Sequence, residues 1–138
     1  MIDGLPLRQT PDEVASLIPV EHLEVTKMTL SEFQDTILRL EIQLSKCPYI
    51  GETDGMKEHP LIFHYFCGSS DFFIYEYDRK NLMFGYAILG GDFYNSEWGY
   101  YNLSDLTSIR LLNINYHFAE HSIETALYFV YPKYFKKP

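Results

Sequence analysis

The sequence predicts a single α+β domain, with N-terminal helices packed on an antiparallel sheet of about four or five strands and short helices at the C-terminus. The chain of 138 residues suits one domain, with a mainly helical part over 1–60 and a mainly β part over 61–138. Apolar residues recur with helical spacing in the first part. Of 23 aromatic residues (12 Tyr, 10 Phe and 1 Trp), all but Phe33 and Tyr49 lie in the second part, which favours strands there.

Two helices are predicted in the first 60 residues. Thr10 followed by Pro11 is typical of a helix start, and Pro19 keeps this first helix short. Thr29 begins a capping box, and the helix that follows is expected to run to about Lys46. Its apolar side chains recur at three- and four-residue steps and form one stripe: Leu30, Phe33, Ile37, Leu40 and Leu44.

The second part of the chain is predicted to form hairpins. Runs of aromatic and β-branched residues, separated by turn residues, predict strands over residues 61–67, 71–78, 82–89 and 98–103. The connections between these runs are too short for crossovers, so neighbouring strands should pair in an antiparallel manner.

Short helices are expected after the hairpins. Ser104 starts a brief helix, and the tail from Asn113 is compatible with either strand or helix. A last helix is predicted over 122–130, and Pro132 is expected to end it. The apolar residues that the brief helix would cover are Leu106, Ile109 and Leu112.

Charge and hydropathy exclude two classes of partner. The chain has 11 basic and 19 acidic residues and a net charge of −8, which disfavours the phosphate contacts of nucleic-acid binding. Its longest apolar run, Met83 to Leu89, is far shorter than the ~20 residues of a membrane span, so we expect no membrane partner. The N-terminus lacks signal-peptide features, and Cys47 and Cys67 are expected to be reduced thiols. These features predict a cytoplasmic protein.

Three carboxylates are candidate catalytic residues: Glu76, Asp92 and Glu97. Strand alternation places Glu76 on one face with Phe72 and Ile74, and an acid among apolar groups suits general acid or base chemistry. If the three acids met, they could also bind a divalent cation, which would make the protein a small hydrolase-type or metal-dependent enzyme. Alternatively, Glu76 pairs with a neighbouring group, and Asp92 and Glu97 are turn residues.

A second motif is His117-Phe118-Ala119-Glu120-His121, which reads H-x-x-E-H. On a helix, His117 and His121 would share one face and could bind zinc, with Glu120 activating a water molecule. A third ligand would have to come from a distant position, such as His64 or Cys67. We expect neither a metal nor another cofactor.

The surplus of aromatic residues indicates a binding surface. Tyrosine and tryptophan give a large contact area at small entropic cost, and one face of a four-stranded sheet cannot hide so many rings. The expected partner is another protein or a second copy of the chain, as in a homodimer. Ordinary strand composition is the competing explanation. The candidate binding residues are Tyr75, Tyr77, Tyr86, Trp98, Tyr100 and Tyr101.

Three segments resemble a known family. They are Leu82-Met83-Phe84-Gly85-Tyr86, Gly91-Asp92, and the run from Glu97-Trp98-Gly99-Tyr100 to Leu106. Over residues 71–112 the chain is similar to the bacterial family named domain of unknown function 2958, which is carried by plasmids, phages and other mobile elements, often near anti-restriction genes. The family commonly has an acidic pair with Arg where this chain has Ile114-Asn115-Tyr116-His117. The resemblance implies an α+β fold and the context of a mobile element or phage, where counter-defence is a role to expect. Together with the aromatic surplus, the acidic charge and the absence of a catalytic signature, it leads us to expect a non-catalytic protein-interaction module.

Overall fold

One antiparallel sheet of five strands forms the centre of the protein, with helices on both of its faces. The computed structural model describes residues 14–23, 29–115, 122–133 and 135. The predicted α+β architecture is confirmed. The strands are β1 (Phe63–Cys67), β2 (Ser70–Tyr77), β3 (Leu82–Ile88), β4 (Glu97–Asn102) and β5 (Asn113–Ile114). The helices are α1 (Leu30–Lys46), α2 (Leu103–Thr107) and α3 (Ile123–Val130), and short 3₁₀ turns cover Val20–Leu23 and Phe93–Asn95.

The spatial order of the strands is β4-β3-β2-β1-β5. The first four strands therefore form consecutive hairpins, as their short connections predicted, and each begins and ends close to its predicted limits. The tail from Asn113, whose state the sequence left open, forms β5 and pairs with β1. It does so because α2 ends at Thr107, earlier than predicted, and Leu111 adopts a positive φ of 64° that turns the chain back.

Helix α1 begins where the capping box predicted. The Thr29 hydroxyl accepts a hydrogen bond from the Glu32 amide at 3.1 Å. Leu40 and Leu44 are buried, but Leu30 is 74% exposed, so the predicted apolar stripe is wrong at its first position. The helix contacts the core mainly through its C-terminal half, and its first residue protrudes beyond that contact.

Arg79 holds the C-terminal end of α1 from the β2–β3 turn. Its guanidinium donates to the carbonyl oxygens of Leu44, at 2.9 Å, and Cys47, while a third bond reaches the Tyr77 carbonyl at 3.0 Å. The Leu44 carbonyl lies in the last turn of α1, where the helix dipole places a partial negative charge. A cation such as Arg79 stabilises this charge. Arg79 also stacks on the ring of Tyr49, with 4.0 Å from Cζ to the ring centroid.

Two apolar clusters lie on opposite faces of the sheet. The front cluster joins α1 and the segment around Leu17 to side chains of β1 and β2 such as Tyr65 and Phe72. The back cluster joins α3 to side chains such as Phe73 and Tyr75. Because both faces are covered, β2 is buried along six consecutive residues and the core holds more rings than one face could.

A β-bulge changes the alternation of β2. The pairing with β3 shifts between Ile74 and Glu76, so that Glu76 lies opposite Phe84. Tyr77 consequently packs in the front cluster with Ile74 and Phe72, although strict alternation would place it on the other face. The prediction that Glu76 shares a face with Phe72 and Ile74 is therefore wrong, since the extra residue breaks the period of two.

Helix α3 is fastened to the sheet at both ends by carboxylates. At its start, Glu124 accepts hydrogen bonds from the backbone amide and the Nδ1 of His59, both at 2.8 Å. Just beyond its end, the Tyr131 hydroxyl donates to Asp71, which also accepts from His64 at 2.8 Å. Burial and the Asp71 carboxylate raise the pKa of Tyr131 to about 12, so its hydroxyl remains a donor at neutral pH.

The expected first helix start at Thr10 and Pro11 lies outside the described residues. Val14, Leu17 and Ile18, which the sequence placed on that helix, are buried in the front cluster. Cys47 and Cys67 are both free thiols. Among the residues that the structure describes, no helix is long and apolar enough to cross a membrane.

Gly85 is predicted to be irreplaceable in β3. A Cβ atom there would lie 2.0 Å from the Phe73 carbonyl oxygen of β2, so Gly85→Ala must push the two strands apart. We expect the free energy of unfolding to fall by about 1–3 kcal/mol, measured by urea denaturation. The matched control is Gly99→Ala on β4, where the nearest atom is 3.5 Å from the new Cβ. Equal losses for the two variants would contradict this explanation.

The hydrogen bonds that His64 and Tyr131 make to Asp71 predict a specific loss of stability in acid. Burial alone raises the pKa of Asp71, but the hydrogen bonds from His64 and Tyr131 and the charge of His64 outweigh burial and lower it. A lowered folded-state pKa adds stability above the unfolded value of about 3.9, and this stability disappears as pH falls through the folded value. Asp71→Asn should therefore be less stable than the native chain at pH 6, and the difference should shrink below pH 4. Stability would be measured by urea denaturation across this pH range for both proteins. A difference in stability that stayed constant with pH would contradict the prediction.

Candidate functional site

The Glu76 carboxylate is buried and fully engaged by one loop. Its oxygens accept hydrogen bonds from the backbone amides of Gly51 at 2.8 Å and Thr53 at 3.0 Å, and also from the Thr53 hydroxyl. Glu76 is 2% exposed and Thr53 is 3% exposed. A buried carboxylate is tolerated when donors replace its water, so Glu76 anchors the loop before β1. No local sequence pattern predicts this contact, because Thr53 and Glu76 are 23 residues apart.

Asp92 and Glu97 do not join Glu76. Asp92 is exposed and accepts hydrogen bonds from the amide and side chain of Asn95, as a turn residue does. Glu97 is exposed and lies opposite Ala87, whereas Glu76 lies opposite Phe84, three residues away along β3. The carboxylates on β2 and β4 are thus separated by roughly 10 Å along the strands and roughly 10 Å across them. The expected cluster of three acids does not form.

Metal ligands do not gather elsewhere in the described ranges. No group of three or more His, Cys, Asp or Glu side chains in residues 14–23, 29–115, 122–133 and 135 could hold a metal ion. His64 binds Asp71 on the back face, and Cys67 packs against the front cluster, so these two side chains lie apart. The H-x-x-E-H motif, with His117 and His121, lies outside the described residues.

The six aromatic residues expected at a binding surface separate into two groups. Tyr75 is 4% exposed and Tyr77 is 3% exposed, so neither can contact a partner, and this part of the prediction is wrong. They are interior because α3 covers the back of β2 and the bulge turns Tyr77 to the front. Burial, together with the charge of Glu76, raises the pKa of Tyr75. The residues nearer to the edge of the sheet are partly or largely exposed: Tyr86, Trp98, Tyr100 and Tyr101.

Four side chains form an aromatic ladder on the back face of β3 and β4: Phe84, Tyr86, Trp98 and Tyr100. Each rung is a cross-strand pair. The Tyr86 and Trp98 ring centroids are 4.9 Å apart, and those of Phe84 and Tyr100 are 4.7 Å apart. On the outer strand, Trp98 is 39% exposed and Tyr100 is 60% exposed. The inner rings therefore support two outer rings that face solvent.

His59 supports the ladder from the side. Its imidazole lies 4.8 Å from the Trp98 ring and 4.6 Å from the Tyr75 ring, and Glu124 holds its Nδ1. The orientation of Trp98 is thus fixed by β2, by β3 and by the start of α3. Sequence reasoning missed His59 and Glu124, because they are 65 residues apart and no spacing rule connects them.

A cleft of about 560 Å³ opens between the end of α1, the loop over residues 48–60 and Arg79. Its lining includes the Cys47 thiol. Burial raises the pKa of Cys47 to about 12, although the charge of Arg79 acts in the opposite direction. The thiol is therefore protonated at neutral pH and is not an activated nucleophile.

No family model matches the sequence, and no curated protein or solved structure matches it either. The similarity of residues 71–112 to domain of unknown function 2958 therefore stays a prediction. Among the described residues, Trp98 and Tyr100 on the outer side of the ladder are exposed aromatic side chains that pack against inner rings of the sheet.

The bonding of Glu76 predicts a structural role that the other two acids do not share. Glu76→Gln would place an amide group against donors of the loop, so we expect the free energy of unfolding to fall by about 1.5–3 kcal/mol in urea denaturation. Glu97→Gln is the matched control and should change it by less than about 0.5 kcal/mol, because Glu97 is exposed. A comparable loss in both variants would show that the two carboxylates are coupled after all.

Proposed function

We propose that this protein is a protein-interaction module whose partner contacts the aromatic ladder at β4. The exposure of Trp98 and Tyr100 on a rigid, edge-of-sheet support is the observation that carries the proposal. The partly buried rings of Phe84 and Tyr86 behind them restrict their rotamers before binding, so the entropic cost of contact is small. Tryptophan and tyrosine are also the residues most often found at the energetic centre of protein interfaces.

The ladder is placed on strands rather than loops. Tyr86 also contacts Phe135 beyond α3, with 6.1 Å between centroids, so the inner side of the ladder is covered by the protein itself. A partner would meet the outer rings and the edge of β4. An exposed apolar patch at the edge of a covered face is a common feature of binding surfaces.

The alternative of a small hydrolase or metal-dependent enzyme is less well supported. It depended on Glu76 meeting Asp92 and Glu97, whereas both Glu76 oxygens are occupied by the loop amides and the Thr53 hydroxyl. The interaction module requires only groups that the surface offers. The similarity to the mobile-element family extends the proposal to a plasmid or phage protein that acts in the cytoplasm on a host defence protein. The two free thiols are compatible with that reducing compartment.

The proposal predicts that partner binding depends on the ladder and not on exposed aromatics in general. Partners captured with the native chain would be purified and titrated by calorimetry against a Trp98→Ala, Tyr100→Ala double variant. We expect an affinity loss of at least about 30-fold, the effect of removing an interface centre worth about 2 kcal/mol. Tyr94→Ala is the control, because Tyr94 is 90% exposed and lies outside the ladder.

Circular dichroism and thermal denaturation would establish that the double variant keeps its fold. A partner that binds the native chain and the folded double variant equally well would overturn the proposal.

A further inference from the structure

In the part of the chain that the structure describes, strand β4 is the longer edge strand of the sheet. It pairs with β3 on one side, and within the described residues no strand lies on its other side. Strand β4 is six residues long, and every second residue directs its backbone amide and carbonyl outward, away from β3. The opposite edge, β5, is only two residues long. Unpaired edges of this length are templates on which another extended chain can pair.

Of the devices that usually prevent such pairing, β4 has one charged residue, Glu97, but no lysine, no proline and no bulge. Proteins protect long edge strands with lysine, proline or a bulge. The sequence of β4 is Glu-Trp-Gly-Tyr-Tyr-Asn, with neither lysine nor proline. Its register with β3 runs without a shift from Leu82↔Asn102 to Ala87↔Glu97, so the strand is regular throughout. Both features favour strand addition.

The side chains of β4 specify what an added strand should present on each face. Trp98 and Tyr100 point to the back face with the ladder, so the added strand should place apolar side chains there. Glu97 occupies the other face, which it shares by alternation with Tyr101, and is exposed. Basic side chains on that face of the added strand would pair with it.

Charge around the edge selects a basic partner over a second copy of this chain. Residues 81–109 contain three acids, Asp92, Glu97 and Asp105, and no Lys, Arg or His. All three acids are exposed, at the two ends of β4 and beside them. Two copies paired edge to edge would bring these acids together and add the repulsion of two chains of net charge −8. A positively charged segment gains from the same field.

We propose that β4 binds an extended segment of a partner protein as a sixth strand, and that this segment alternates apolar with basic residues. The inference rests on the proposed function and adds the conformation and the charge of the bound segment. Main-chain hydrogen bonds to β4 would supply affinity, and the ladder and Glu97 would supply specificity.

The first test uses a defined peptide, acetyl-Lys-Phe-Lys-Val-Lys-Phe-Lys-amide. Trp98 is the only tryptophan in the chain, so its fluorescence reports binding at the edge directly. We expect a saturable change in Trp98 fluorescence and slower hydrogen exchange of β4 amides. The Tyr94→Ala variant should bind the peptide with the same affinity as the native chain. A peptide of the same composition in the order Lys-Lys-Lys-Val-Phe-Phe-Lys, and one with Glu in place of Lys, should each bind at least tenfold more weakly.

The second test separates strand addition from side-chain contact without altering the protein. N-methylation of alternate residues removes the peptide's hydrogen-bond donors on one edge, and two such peptides cover both edges. One of them should lose at least tenfold in affinity. Equal binding by both methylated peptides, or unchanged exchange of β4 amides in the complex, would overturn strand addition.

The outcomes distinguish this inference from the proposed function. If the Trp98→Ala, Tyr100→Ala variant no longer binds the captured partner, while N-methylation does not change the affinity of the peptide, the ladder is an interaction surface and strand addition is wrong. If the captured partner binds the folded double variant as tightly as the native chain, the proposed function itself fails. Sedimentation that showed a stable dimer, abolished by the Trp98→Ala, Tyr100→Ala double variant, would identify a second copy as the occupant and refute the basic segment.

Discussion

Burial of β2 on both faces is the constraint on which the remainder of the structure depends. Six consecutive residues of this strand are buried, which requires a layer on each side of the sheet. The front layer is α1 with the segment around Leu17, and the back layer is α3. Because α3 is only eight residues long, it packs against side chains of β2 and β3 but leaves Trp98 and Tyr100 of β4 exposed to solvent. The exposed ladder is thus a consequence of how far the back layer extends.

Polar groups inside this core position its elements. Glu76 replaces its lost water with two loop amides and the Thr53 hydroxyl, and this fixes the loop that leads into β1. Glu124 fixes the start of α3 to His59, which in turn lies against Trp98. Buried polar groups are costly unless they are satisfied, so these contacts select one arrangement of loop, helix and sheet. The surface that we assign to a partner is held by the same contacts.

The edge of β4 combines three features that favour pairing with another extended chain. It is regular, rich in aromatic residues, and flanked by acids without a neighbouring cation in its sequence segment. Solvent exposure of such an edge carries a risk of non-specific pairing. Its retention is understandable if a partner segment occupies it, and the acidic surroundings then limit which segments can do so. The free backbone groups, the acidic charge and the exposed rings all support a binding site at the β4 edge.

The sequence alone determined the local elements, because their signals lie within a few residues of one another. Thr29 and its capping box located α1, and turn residues between aromatic runs located the hairpins. Tertiary structure alone decided which rings are buried. The bulge after Ile74 redirected Tyr77, and α3 covered Tyr75, so two of six expected surface aromatics became interior. The partners of Glu76 lie 23 and 25 residues away in the chain, and Glu124 lies 65 residues from His59. Spacing rules describe neighbours along a helix or strand, whereas burial and pairing depend on which distant segments pack together.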